Sequence, residues 1–346
     1  MKVLVTGHHG YIGSVLAPLL AAAGHDVEGL DTYFYRGCDF GSDAAPLRER
    51  AGDIRDLEPA ELEGFEAVVH LAALSNDPLG DLDPSLTDDV NHKGTLHLAH
   101  AAREAGVRRF VFASSCSMYG VSGTDDALDE NAPLRPTTAY AKSKVLAEEG
   151  LFALAGPDFA PVSMRNGTAF GASPRLRLDI VLNNLAGWAH TTGRIKLLSD
   201  GSAWRPLVHI RDIAKTALAL LAAPEQTIRG EAFNVGSDDQ NYRIRELAEL
   251  LAEVSGCEIE VADGSVADHR SYRVDFSKLA RTFPGLAFDW NAERGARELI
   301  EAYRLLDLTW EDFEGDRYVR LRRLSTLLDE EELDARLRWR APVVLW

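Results

Sequence analysis

Near its amino terminus the chain runs from Val3-Leu4-Val5-Thr6 straight into Gly7-His8-His9-Gly10-Tyr11-Ile12-Gly13. The short apolar run reads as a buried strand. The alanine- and leucine-rich stretch behind the glycines, Ser14–Ala23, reads as a helix. A G-x-x-G-x-x-G turn between strand and helix makes this a βαβ-type start. Glycine accepts the tight turn and lets a pyrophosphate approach the main-chain N–H groups, while the helix N-terminus presents its positive dipole end. A plain tight turn is the alternative reading. The strand before and the helix after favour the phosphate cradle, so Gly7, Gly10, Tyr11, Ile12 and Gly13 are candidate cofactor contacts.

The alternation continues. Strands are expected at His25–Leu30, Ala67–Leu71, Arg109–Ala113 and Phe159–Met164, with helices near Asn91–Ala105 and Ala139–Ala155. Apolar strands alternating with amphipathic helices give an α/β fold, a Rossmann-type doubly wound parallel sheet with ligands at the carboxyl ends of its strands. The second half is less regular. A helix near Asp179–His190, a strand near Ile195–Leu198, a sheet-returning strand and helix over Val208–Ala222, and a helix at Ile244–Val254 suggest a smaller C-terminal α/β substrate-binding lobe. The expected division is residues 1–167 plus about 205–236 for the cofactor domain and about 168–204 plus 237–308 for the lobe. Residues 309–346 form a helical extension. Tyr318, Leu321, Leu324, Leu327 and Leu328 fall at helical spacing, which suggests a helix packed on its own lobe, with a lid or partner contact as the alternative.

Composition narrows the function. With 346 residues, 46% hydrophobic and 26% charged, the chain can bury a large core. A formal charge of −17 argues against nucleic acid or an anionic membrane as partner. Three scattered cysteines make neither a disulfide framework nor a zinc site, and the histidines show no metal spacing, so no metal is expected and a reducing cytoplasm fits. No apolar run reaches the ~18 residues that a membrane helix needs.

Asp31 ends the second strand, where a carboxylate accepts hydrogen bonds from the ribose hydroxyls of NAD and repels the extra phosphate of NADP. Arg36 lies close enough in sequence to offer an NADP alternative. Asp53 and Ile54 follow another candidate strand and could read the adenine edge, and Leu71, Ala72 and Ala73 supply small residues beside a flat cofactor. Tyr140 and Lys144, four apart, share one helix face. A tyrosine at its ordinary pKa near 10 is a poor base, and an adjacent ammonium together with the positive nicotinamide favours the phenolate. Ser115 ends a strand just upstream and could relay the same proton. Cys116, with no histidine partner in a motif, reads as a buried thiol rather than a nucleophile.

Taken in order, these residues resemble the extended short-chain dehydrogenase/reductase family, in its NAD-dependent nucleotide-sugar epimerase/dehydratase branch. The resemblance covers roughly residues 1–300. It adds Asn91-His92-Lys93-Gly94-Thr95, Ser114–Gly120 and Arg205-Pro206-Leu207-Val208-His209-Ile210 to the motifs above. It implies that Ser115 is the catalytic serine, that Asn91 and Asn166 support the cofactor site, that Asn184 contacts a diphosphate, and that Arg205 and Arg270 clamp it. Asn76, Ser117 and Thr168 fall where the sugar is expected, in segments that depart from the family pattern. The dehydratases of that branch carry Asp-Glu directly after the serine or threonine. Here Cys116 and Ser117 stand there, which disfavours dehydration.

The reading that follows is an epimerase acting through tightly bound NAD. Tyr140 would remove a hydroxyl proton, expected at C4, while hydride passes to the cofactor and returns on the other face. A ketoreductase of a nucleotide-linked deoxysugar uses the same residue types and is the alternative, with a decarboxylase or a non-catalytic cofactor scaffold behind it. The resemblance also implies a homodimer pairing the helices near Asn91–Ala105 and Ala139–Ala155.

Overall fold

Strands that are apolar at every position need cover on both faces. Val3, Leu4 and Val5 are wholly excluded from solvent, as are Val68 and Val69. The computed structural model describes residues 1–41, 47–75, 83–122, 126–262 and 271–343. Its strands, in chain order, are β1 (Lys2–Thr6), β2 (Asp26–Asp31), β3 (Arg48–Ala51), β4 (Ala67–His70), β5 (Arg109–Ser115), β6 (Ala127–Leu128) and β7 (Ala160–Asn166). They continue with β8 (Thr168–Phe170), β9 (Arg194–Leu197), β10 (Trp204–His209), β11 (Glu231–Val235), β12 (Asn241–Arg243), β13 (Glu258–Val261) and β14 (Arg273–Val274).

Seven of them form one sheet in the order β11-β7-β5-β4-β1-β2-β3, every pairing parallel. Val3 pairs with Val27 on one side and Ala67 on the other. The chain reverses direction across the sheet at β1 and β4, which opens a crevice at their carboxyl ends. Val3, Val5 and Val111 face one layer, containing Leu16 and Leu20 of the Gly13–Ala22 helix and Ile213 and Leu220 of the Ile210–Ala222 helix. Leu4, Val68 and Phe110 face the other, against Leu98 of the Gly94–Glu104 helix and Ala147 and Leu151 of the Ala139–Ala153 helix. The expected helix near Asn91–Ala105 is two pieces, a π-helical turn over Asp88–Lys93 running into Gly94–Glu104. No helix among the described residues is long and apolar enough to cross a membrane.

The strand expected before the Ile210–Ala222 helix does not return to the main sheet. β10 forms a separate sheet, antiparallel to β12 and parallel to β8. Pro206 explains the exchange, since it has no N–H to donate inside a two-sided strand. Accordingly β10 pairs with β12 up to Pro206 and with β8 only from Leu207 onward. The strand that does join the main sheet is β11, beside β7.

The smaller lobe packs the Val181–Thr192, Ile244–Ser255 and Ala292–Leu305 helices through Leu182, Leu251 and Leu299. The extension differs from expectation. Phe313 and Tyr318 join the lobe, but the Arg320–Asp329 helix and the chain after it cross to the cofactor half. There Leu324, Leu327, Leu333 and Leu337 cover Phe34 and Leu74, two buried apolar residues that follow β2 and β4. The apolar spacing of the tail was correct; its docking surface lay in loops that periodicity does not read.

Candidate active site

A cavity of about 610 Å³ opens at the carboxyl ends of the main strands, and the glycine turn forms part of its wall. Gly7 has φ +76°, and a Cβ there would lie 2.7 Å from the Ala72 nitrogen. A Cβ on Gly13 would lie 2.2 Å from the Gly7 carbonyl oxygen and 2.6 Å from the His8 Cα, both backbone atoms that cannot step aside. Gly13→Ala is therefore expected to destabilise the protein by about 2–4 kcal/mol, with loss of NAD retention, as checked by thermal unfolding and bound-nucleotide content. A variant as stable as the parent would show that the turn is looser than this packing requires. The two histidines of the turn are braces. His8 Nε2 lies 2.9 Å from Glu49, and burial beside Arg175 pushes the His9 imidazole down to about 3, so it is neutral.

Asp31 lines the cavity, and its two carboxylate oxygens accept the backbone N–H groups of His9 (3.0 Å) and Tyr33 (2.8 Å). A carboxylate keeps further lone pairs for ribose hydroxyls. Burial holds its pKa above the ordinary value. Arg36 is exposed and does not line the cavity. Asp53 and Ile54 do line it, but the Asp53 carboxylate is already taken by Arg55 (2.7 and 3.0 Å) and Arg338 (3.1 Å). Those charges hold Asp53 low although its burial alone would raise it. The carboxylate therefore anchors the C-terminal extension, and any contact to adenine falls to its backbone. Leu71, Ala72 and Ala73 line the cavity as expected. Asn91 does not. It is buried behind the wall, where it accepts from the Leu74 N–H (2.8 Å) and donates to the Leu74 carbonyl (3.0 Å), positioning that loop.

Tyr140, Lys144 and Ser115 converge on the same cavity. Thr138 caps the helix that carries the first two by accepting the Ala141 N–H (3.1 Å). Lys144 is buried, donates to the Ala113 carbonyl (2.7 Å), lies over the Phe112 ring (4.6 Å), and sits 5.7 Å from the centre of the Tyr140 ring. Burial pushes its pKa down to about 7. Ser115 Oγ accepts the Ser117 N–H (3.1 Å), which shapes the turn over Cys116–Tyr119. Ser117 Oγ and Asn166 Oδ1, on cavity-lining residues, are buried atoms without a hydrogen-bond partner. Cys116 points away, donating to the Arg165 carbonyl (3.0 Å), and burial raises its thiol far above the ordinary value. It is the inert thiol that the sequence suggests.

Thr168, Asn184 and Arg205 line the far end. Asn184 donates to the Leu178 carbonyl (2.9 Å) and Arg205 to the Trp204 carbonyl (2.8 Å). Asn76 and Arg270 lie outside the described residues. The sequence reading missed Tyr35, Arg177, Asp179 and Arg320, all in the cavity wall. Arg177 lies in the loop that continues the departing segment at Thr168, which was the available signal. Arg320, more than 100 positions downstream of every other wall residue except Ile244 and Tyr272, carried none. No group of three His, Cys, Asp or Glu is placed to hold a metal among the described residues. The glycine cradle, with no room for a Cβ, and the unpartnered polar atoms elsewhere in the cavity wall fit a dinucleotide.

The comparisons agree with this geometry. The model of the NAD dependent epimerase/dehydratase family matches residues 3–236. A UDP-glucose 4-epimerase of Corynebacterium glutamicum is 32% identical over 287 residues, covering 78% of this chain and 85% of that protein. MoeE5, solved with UDP-glucuronic acid and NAD, superposes with a TM-score of 0.76 at 27% identity, covering 88% of this chain and 99% of its own. DesIV, a dTDP-glucose 4,6-dehydratase from Streptomyces venezuelae solved with NAD, gives 0.77 at 27% identity, covering 88% and 97%. With the glycine cradle, Asp31 and the Tyr140–Lys144 pair in one cavity, the chain belongs to the NAD-dependent epimerase/dehydratase family of extended short-chain dehydrogenase/reductase enzymes.

Proposed function

We propose that the protein is an NAD-dependent nucleotide-sugar epimerase that inverts C4, with Tyr140 as the general base. One observation favours epimerisation over dehydration. The two positions after Ser115 carry no acid–base pair, since Cys116 is buried and turned away while Ser117 offers only a hydroxyl. Of the cavity's carboxylates, Asp31 is bonded to the glycine turn and Asp53 to Arg55, while Asp179 is held by Arg177 at 2.9 and 3.0 Å and kept below the ordinary carboxylate range despite burial. A carboxylate so held is a poor proton donor for the loss of water. The named activity of the Corynebacterium relative supports the same reading.

When bound, NAD supplies a reversible hydride acceptor at the nicotinamide. Everything else falls to the chain. Tyr140 takes the proton of the sugar hydroxyl and later returns it, and Ser115 bonds the same oxygen. Lys144, fixed by the Ala113 carbonyl, supplies the charge that favours the phenolate. Arg205 and Asn184 grip the diphosphate. Holding the nucleotide by its phosphates leaves the sugar free to turn and present its other face.

The test is incubation of the purified protein with UDP-, dTDP- and GDP-sugars without added cofactor, followed by NMR. C4 isomers interconverting with no net redox change are expected. Loss of water, or turnover only of added NADH with a keto-sugar, would overturn the epimerase in favour of a dehydratase or a reductase.

A further inference from the structure

The C-terminal extension places a charge in the cavity that the mechanism above does not use. Arg320 opens the Arg320–Asp329 helix, is 2% exposed, and lies in the cavity wall. Its guanidinium stacks 3.8 Å from the centre of the Tyr35 ring, and Nη2 donates to the Arg175 carbonyl (3.1 Å). Nη1 is buried without a hydrogen-bond partner. The neighbouring guanidiniums are neutralised, Arg175 by Asp39 and Arg177 by Asp179. Arg320 forms no ion pair in the structure among the described residues. A buried guanidinium left with an open donor is costly, and an anion completes it.

The position selects the anion. The Gly171–Arg177 loop rests on the glycine turn. Tyr11 donates to the Gly171 carbonyl (2.7 Å), Ser173 Oγ donates to the Tyr11 carbonyl (2.8 Å), and Arg175 meets His9. Arg320 is hydrogen-bonded to Arg175 of that same loop and lines the same cavity as the glycine turn, where main-chain N–H groups and a helix N-terminus receive a pyrophosphate. Beyond Arg320 the chain stays tied to the cofactor half. Arg55 donates to the Arg336 carbonyl (3.0 Å), Arg338 to Asp56 (3.0 Å), and Trp339 Nε1 to the Thr32 carbonyl (2.6 Å).

We propose that Arg320 is the charged contact for the pyrophosphate of NAD, delivered by a C-terminal strap that fastens across the adenosine end of the cavity. The glycine turn supplies only neutral N–H donors, and Arg320 adds the guanidinium that they lack. The proposal concerns NAD alone and holds whichever sugar is turned over.

The test compares the wild type with Arg320→Met, which keeps the aliphatic stem on Tyr35, and Arg320→Lys. Cofactor is removed first, and NAD, ADP-ribose, adenosine and UDP are titrated calorimetrically, UDP onto NAD-saturated protein. Arg320→Met is expected to weaken NAD and ADP-ribose by about 10- to 100-fold, the size of one charge-assisted hydrogen bond. Adenosine and UDP affinities stay unchanged, and Arg320→Lys recovers part of the loss. The cofactor-free melting temperature of Arg320→Met is not lowered, because losing the Arg175 bond and the Tyr35 stack is offset by removing a buried charge that has no ion pair among the described residues. Unchanged NAD affinity, or a loss confined to UDP, overturns the proposal, the second moving the contact to the nucleotide-sugar diphosphate. A fall in cofactor-free stability with equal loss for adenosine and ADP-ribose also overturns it and makes Arg320 structural.

Discussion

Tyr140→Phe is expected to lower turnover by about 10³-fold while leaving NAD affinity within about threefold of wild type. The ring stays and only the hydroxyl goes, so the cavity keeps its shape. Ser115 cannot substitute, because a serine hydroxyl is no base without a partner and its Oγ already accepts the Ser117 N–H. Nor can Cys116, whose thiol faces the Arg165 carbonyl. The remaining candidate, Lys144, points its Nζ at the Ala113 carbonyl. Single-turnover kinetics with saturating nucleotide-sugar, alongside NAD titration, would decide it. Turnover within tenfold of wild type would remove Tyr140 from the role of base.

Lys144→Met is expected to act in two opposite directions, slowing turnover by about 10²- to 10³-fold and stabilising the cofactor-free protein at pH 6. The first effect is the loss of the charge beside Tyr140. The second follows from burial, which pushes the Lys144 pKa from 10.5 down to about 7. The folded chain then binds fewer protons than the unfolded chain between those two values, so stability from this group rises with pH across that window. Below about pH 7 the buried ammonium is present in full and its cost is greatest. The methionine variant escapes that cost, by an amount on the order of a few kcal/mol at pH 6 that shrinks toward pH 10. Thermal unfolding of both proteins from pH 6 to 10, with cofactor removed, measures it. A variant less stable than wild type at pH 6 would show that the Ala113 bond and the Phe112 ring outweigh the desolvation of Lys144.

What the sequence made legible was whatever depends on local period and spacing. The glycine turn, the strand behind it and the four-residue step from Tyr140 to Lys144 are statements about neighbours along the chain. They led to one cavity containing Asp31, Ser115 and Asn166 as well. Contacts formed between distant segments were out of reach. Asp53 looked like an adenine reader because nothing nearby shows that Arg338 will come to occupy it. β10 looked like a main-sheet strand because its apolar residues were read without the missing N–H of Pro206. The strap is the largest such case. Its leucines announced a helix, yet its partners Phe34 and Leu74 sit in loops roughly 250 to 300 residues upstream.

On the same face of the Ala139–Ala153 helix, one turn further along, lies a buried pair outside the cavity wall. Glu148, one turn beyond Lys144, holds Arg165 of β7 at 2.5 Å and accepts the Ser163 hydroxyl at 2.5 Å. Arg165 also donates to Tyr119 (3.1 Å), which in turn donates to Asn234 on β11 (2.7 Å). The pair works like a key in a shaft, fixing the rotation of the helix about its own axis against three neighbouring parts of the fold. Because Tyr140 and Lys144 ride on that shaft, their aim is set from the next turn of the helix, by residues that do not line the cavity. The loops of the cavity wall are thereby released from the task of aligning Tyr140. For redesign, this separates two problems that usually collide: wall positions such as Thr168 and Ala169, outside the Gly171–Arg177 segment that rests on the glycine turn, can be changed while the Tyr140–Lys144 pair keeps its bearing.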